Sequence, residues 1–272
     1  MQIARANNRL LLHEEGRFFE IEGADDQYGF GVGSVLGHLE TLKRGAEIAA
    51  PETLQAPFPC PTQIFAVGLN YKNHAAEMDL PLPVTPMVFA KFASCIADPN
   101  TDVHIPGDTT DWEAELVIVV GRNGRNIAAS DASSYIAGYM VGQDVSERTV
   151  QMASSPAQFS MGKSFENFAP MGPWFTSADE IENPNDLLIQ CSLNDNLMQN
   201  ESTEDMAFSV PEIVAFISSV CELRTGDLIF TGSPAGVGQG QNPKRFLRDG
   251  DVLSTSIEKL GTITNTFRRA KS

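Results

Sequence analysis

Short apolar runs dominate this chain, and few of them have helical spacing. From Ile64 onward the runs "IFAVG", "MVFAKF", "ELVIVVG", "YIAGYMVG", "LLIQCSL", "DLIFTG", "VLSTSIE" and "TITNTF" recur between clusters of Gly, Pro, Asn and Asp. Runs of this length, rich in β-branched residues and bounded by turn formers, read as strands. One helix is well signalled at "SVPEIVAFISSVCEL", where Ser209 can cap and Glu212 can complete a capping box. Its apolar stripe is Ile213, Phe216, Ile217 and Val220, and it should pack on a sheet. The strands do not alternate with helices, which argues against a doubly wound fold and for a β-rich α+β body.

The first 60 residues differ in texture, with short alternating pieces such as "GRFFEIEG" ending at the proline-punctuated "APFPCPTQ". They predict a small β-rich N-terminal unit over 1–60, followed by a main unit over 61–272. With 272 residues, 42% of them hydrophobic, the chain can build a substantial core. The formal net charge of -16 argues against nucleic acid or an anionic membrane as partner, since both require a positive surface. An anionic substrate would therefore need positive charge supplied locally. Cys60, Cys95, Cys191 and Cys221 lie far apart without zinc-ligand spacing and are expected to be free thiols. The opening "MQIARANNRLLLHEEG" lacks the apolar core of a signal peptide, so the expected location is the cytoplasm.

Candidate chemistry begins at "TTDWEAELVIVVG". Extending the apolar strand backwards places Asp111, Glu113 and Glu115 on one face, where their charges repel. Either water screens a solvated strand end or a cation sits between two of them. Asp144, at the end of the run "GYMVGQD", is either a helix N-cap or a third oxygen ligand. Two glutamates and an aspartate would suit a hard cation such as Mg²⁺. In "GLNYKNHAAEM", His74 and Glu77 are three apart, so in a helical turn Glu77 could orient His74 as a general base, against the alternative of a surface pair. Lys163 lies between apolar residues in a stretch with few other charges. The glycine-rich stretches "GFGVGSVLG", "MGKSF" and "TGSPAGVGQG" each lack part of a nucleotide-binding motif and read as turns.

Taken in order, "GLNYKNHAAEM", "DWEAELVIVVG", "YIAGYMVGQDVSER", "FSMGKSFENFAPMGPW", "FSVPEIVAFIS" and "GDLIFTGSPAGVG" resemble the fumarylacetoacetate hydrolase family. The resemblance implies a mixed β-sandwich roll, a homodimer, and a divalent metal, commonly Mg²⁺, held by Glu113, Glu115 and Asp144. It further implies a catalytic pair His74 and Glu77 on a lid, an active-site Lys163, and Thr231 lining the substrate pocket, while Asp111 has no assured ligand role. At "SERTVQ" the sequence departs from the family, with Glu147 and Thr149 at altered positions; Arg148 and Gln151 remain as candidate substrate contacts. The proline-rich "LPLPVTP" leaves the length of the lid helix open, and three oxygen ligands do not choose between Mg²⁺, Mn²⁺ and Ca²⁺. The implied activity is hydrolysis of a carbon-carbon bond in a small 1,3-diketo acid, of acylpyruvate or fumarylacetoacetate type, through a metal-bound enolate. The same site would serve decarboxylation of oxaloacetate or isomerisation of an unsaturated 2-oxo acid, and a non-catalytic metal-stabilised binding protein is the remote alternative.

Overall fold

The computed structural model describes residues 1–25 and 29–269. Two sheets form the body. The main one is mixed and runs, edge to edge, Lys43–Ile48, Arg17–Asp25, Arg9–Glu14, Gln2–Ala6, Ala169–Ser177, Ile136–Gln143, Ala114–Val120, Leu228–Phe230, Ile64–Gly68 and Met87–Ala90. The second orders Asn196–Ser202, Leu188–Leu193, Val252–Ile257, Gly261–Arg269 and Asp102–Ile105. It packs against the strands Ala114–Val120, Ile136–Gln143 and Ala169–Ser177, giving a β-rich α+β sandwich. Central position explains why all seven residues of Ala114–Val120 are buried, and why that strand is a continuous apolar run rather than an alternating one.

The N-terminal strands extend the main sheet across the sequence boundary at residue 60. Gln2 and Ile3 pair antiparallel with Thr176 and Phe175. Leu10, Leu12, Phe19 and Ile21 join the same apolar core as the central strands.

The helix Val210–Val220 forms with Ser209 and Glu212 in the expected capping box. Its buried face is Val210, Ile213, Val214 and Ile217, while Val220 is exposed. The face is rotated from the expected stripe because the helix lies closest to the 3₁₀ turn Ala129–Tyr135, and Ser218 accepts the N–H of Ile127 in the segment leading into that turn. Around the site the glycine-rich 231–240 segment is a loop ending in a short 3₁₀ turn, and the Gly31–Ser34 and Leu36–Thr41 stretches are 3₁₀ turns. No helix among the described residues is long and apolar enough to cross a membrane.

Candidate active site

Regular pairing of the central strand stops at Ala114. The next two N–H groups are taken by side chains: Gln143 Oε1 accepts from Glu113 at 2.9 Å and Gln199 Oε1 accepts from Ala114 at 3.0 Å. The amide ends of both glutamines are fixed in turn, Gln143 on Thr255 and Gln199 on Ser233 and the Pro234 carbonyl. This satisfied break lets the chain leave the ladder without orphaned buried donors. Asp111 therefore does not continue the strand of Glu115, which Glu113 just precedes; it sits in a separate two-residue strand paired with Ser146–Glu147. Trp112, fully buried between them and donating to the Gly236 carbonyl, fixes the bend.

Glu113, Glu115 and Asp144 converge. One oxygen from each lies within 4.8 Å of the others, and all three residues are buried. Carboxylates drawn this close repel strongly unless positive charge intervenes. Lys163 Nζ lies 2.7 Å from Glu113 and 2.6 Å from Asp144, and Lys91 Nζ lies 2.5 Å from the other Asp144 oxygen. Arg148 reaches Glu113 at 2.7 Å. Burial pushes the Glu113 carboxyl up, but Lys163, Arg148 and His74 outweigh it and hold it at about 2. Burial likewise pulls the Lys163 ammonium down, and Asp144 and Glu113 more than offset this, so its pKa is raised and it stays cationic.

Glu115 differs. One of its oxygens accepts the Gly232 N–H at 2.7 Å, and among the described residues no cation forms an ion pair with it. Burial, then Asp144 and Glu113, push its pKa well above the usual carboxylate range. An all-oxygen, buried donor set that remains under-neutralised fits a hard divalent cation.

His74 and Glu77 lie on the helix Lys72–Glu77, with His74 Nδ1 2.9 Å from Glu77 Oε2. The other Glu77 oxygen accepts the Gly236 N–H at 2.9 Å. A carboxylate fixed this way assigns the Nδ1–H tautomer and leaves Nε2 as the basic nitrogen. The helix is only six residues long, and it ends in a Schellman arrangement: Leu80 N–H bonds the Ala75 carbonyl and Asp79 N–H the Ala76 carbonyl, with Asp79 at φ 53°. The prolines that follow thus come after a completed stop.

A cavity of about 140 Å³ opens above these groups. His74, Glu113, Arg148, Gln151 and Lys163 reach its surface. Glu115 and Asp144 lie beneath, and Thr231 lies outside the lining: its hydroxyl donates to the Leu116 carbonyl at 2.9 Å, and Ser233 from the same segment takes the place on the wall. Arg148 and Gln151 are bound to one another at 2.9 Å on the short helix Arg148–Gln151. Glu147 caps that helix, accepting from Thr110 at 2.9 Å and from Thr109. Gly162 lets the helix Phe159–Gly162, which Lys163 directly follows, close on this one, since a Cβ there would meet Gln151 N at 2.6 Å.

Two contributions had no advance signal as site groups. Lys91 follows an ordinary strand, yet it is buried against Asp144 and donates to the Lys163 and Phe168 carbonyls. The 231–240 loop acts through backbone N–H groups: Gly232 to Glu115, Gly236 to Glu77, and Gly238 and Gln239 to Asp111 at 2.7 and 2.9 Å. Its glycines are required by close approach, because a Cβ at Gly238 would strike the Asp111 carboxylate and one at Gly240 the Glu77 carboxylate.

Residues 63–268 match the fumarylacetoacetate hydrolase C-terminal family. A mitochondrial oxaloacetate tautomerase of Xenopus laevis is 40% identical over 215 residues, spanning 78% of this chain and 67% of that protein. A solved protein from Mycobacterium smegmatis superposes with a TM-score of 0.93 at 39% identity, over 100% of both chains. A maleylpyruvate hydrolase from Sphingobium sp. SYK-6, solved with manganese(II) and pyruvate, superposes with a TM-score of 0.81 at 26% identity, again over 100% of both chains. With its buried acidic cluster, its His-Glu pair and more than half its length inside the match, this chain belongs to the fumarylacetoacetate hydrolase family and is an enzyme.

Proposed function

We propose that the protein is a divalent-metal-dependent hydrolase that cleaves a carbon-carbon bond in a small 1,3-diketo acid. The observation that carries this is the His74–Glu77 pair, held at 2.9 Å beside Glu113, Arg148 and Lys163 in one cavity. Glu113, Glu115 and Asp144 would hold the ion: Mg²⁺ follows from the family resemblance, Mn²⁺ is supported by the manganese found in the maleylpyruvate hydrolase, and an oxygen donor set suits Ca²⁺ as well. When bound, that ion supplies positive charge to the oxo-acid oxygens and to the negative charge that develops on cleavage.

The side chains divide the remaining work. His74 Nε2 takes a proton from water as the water oxygen bonds to the distal carbonyl carbon, while Glu77 accepts from Nδ1–H and steadies the imidazolium. The carbon-carbon bond then breaks, and its electron pair passes to the oxo-acid fragment as an enolate. Lys163 sets a fixed positive charge beside the oxygen that carries it. Imidazolium returns the proton to that fragment, giving a 2-oxo acid and a carboxylic acid. Arg148 and Gln151 hold the substrate side of the cavity, and Thr231 supports the wall through the Leu116 carbonyl.

A second reaction at the same site, tautomerisation or decarboxylation of oxaloacetate, is favoured by the 40% identity to a protein named oxaloacetate tautomerase. It needs proton transfer at carbon but no attacking water. The catalytic unit is 61–272, with 1–60 as an appended unit. The four cysteines are free, as suits a reducing compartment such as the cytoplasm, and the homodimer rests on the family resemblance.

The test is loss of the enol absorbance of a short acylpyruvate with Mg²⁺ or Mn²⁺, with products identified, for the native protein and His74→Ala. Hydrolysis products that fall by about 10²- to 10⁴-fold in the variant are expected. Cleavage retained in His74→Ala would remove His74 as the water-activating base, and native turnover of oxaloacetate alone would replace this activity with the second one.

A further inference from the structure

The lining of the cavity is of two kinds. Its floor is charged, but the cations there are occupied. Lys163 donates to Glu113, Asp144 and Ser146 at 2.7, 2.6 and 2.8 Å, which accounts for all three ammonium protons. Arg148 directs Nε and Nη2 at Asp111, and Nη1 at Gln151 and Glu113. The rest of the lining is apolar, with methionine, leucine, Val67, Gly68 and Phe159 beside the neutral Ser233 and Gln239. Phe159 is backed edge-on by Phe89 at 5.5 Å, so the wall is more than one residue deep. Gly68 brings its two neighbours together: a Cβ there would meet Met87 Cε at 2.5 Å and Phe159 Cε2 at 3.3 Å.

Resting on the hydrolase reading proposed above, and against the oxaloacetate alternative, we infer that the enzyme selects 2-oxo acids whose far end is an uncharged aliphatic acyl chain and rejects those ending in a second carboxylate. The floor takes the oxo-acid head. The tail then lies against methionine, leucine and phenylalanine, where each buried methylene is favourable. A terminal carboxylate on the same wall would lose its water without gaining a free cation. The chain's net charge of -16 adds a repulsive field. Unbranched, polarisable methionine side chains at Met78, Met87 and Met152 let the wall adapt to tails of different length.

Equilibrium binding separates this selectivity from the reaction. Titration calorimetry with Mg²⁺-loaded protein would compare straight-chain 2-oxo monoacids of increasing length with 2-oxo diacids of equal length. Each added methylene should tighten binding by about three- to fourfold until the tail reaches the mouth, and a diacid should bind about tenfold more weakly than its monoacid partner. Met152→Arg, which places a cation on the exposed part of the wall, should reverse that order. Val84→Arg, which adds the same charge at a fully exposed position outside the cavity, should leave it unchanged. Diacids binding as tightly as monoacids to the native protein would overturn the inference while leaving the oxo-acid site intact. Failure of every 2-oxo acid to bind would overturn both, and tight binding of long-chain acids without cleavage of acylpyruvates would sustain the selectivity and remove the hydrolase activity.

Discussion

Two buried acids four positions apart, Asp111 and Glu115, lie in opposite surroundings. Asp111 accepts from Arg148 Nε and Nη2 and from the backbone N–H groups of Trp112, Gly238 and Gln239. Glu115 accepts one N–H and faces two other carboxylates. Both are inaccessible, so burial alone does not distinguish a structural acid from a ligand. Between these two the number and charge of the donors does: Asp111 is saturated by a guanidinium and three backbone N–H groups, and Glu115 is left short of positive charge.

The largest effect should come from breaking the saturated side. Asp111→Ala leaves Arg148 without its main counter-charge and should cost about 3–5 kcal/mol, read from urea unfolding. Glu115→Gln keeps the shape and removes an acid whose charged form the metal-free fold disfavours, so its unfolding midpoint without metal should hold or rise while metal binding is lost. Equal destabilisation by the two variants would erase the distinction. Next comes Lys91→Met, which frees the Asp144 oxygen now fixed by an ammonium. Metal affinity measured against a competing chelator should drop by about 10- to 100-fold; an unchanged affinity would make Lys91 a packing residue only.

The smallest effect is a proton count. Because Glu115 is held well above the usual carboxylate range, protons compete with an incoming cation there, so binding releases protons increasingly as pH drops and affinity falls with it. Calorimetry in two buffers of different ionisation enthalpy should register the release, and proton-neutral binding would contradict it. The two glutamates also act oppositely on metal-free stability. Glu115 binds protons more tightly folded than unfolded, so its contribution is present at low pH and is lost as pH rises above the ordinary carboxylate range. Glu113, held at about 2, contributes above that range and loses its contribution as pH falls toward 2.

What could be read from the sequence follows how local each cause is. The helix Val210–Val220 was legible because Ser209 and Glu212 cap it within one turn, and the 116–120 run because β-branched residues repeat there. The rotation that exposes Val220 was not, since it depends on the distant 129–135 turn. His74 and Glu77 could be paired from their spacing alone. Asp111 was placed on the ligand face because alternation was carried through Trp112, and nothing local announces that Gln143 and Gln199 end the ladder. Lys91 resembles any surface lysine after a strand, and backbone donors such as Gly232 and Gly236 have no side chain to mark them.

The 231–240 loop touches three different parts of the machinery: Glu115 of the metal cluster, Glu77 behind the base, and Asp111 behind Arg148. One short segment thus sets the positions of Glu115, of the Glu77 that holds His74, and of the Asp111 that holds Arg148. A displacement of that segment releases all three at once, so impairments at Glu77, Gly232 and Gly238 should overlap instead of multiplying. The enzyme behaves as though its active site had a single latch.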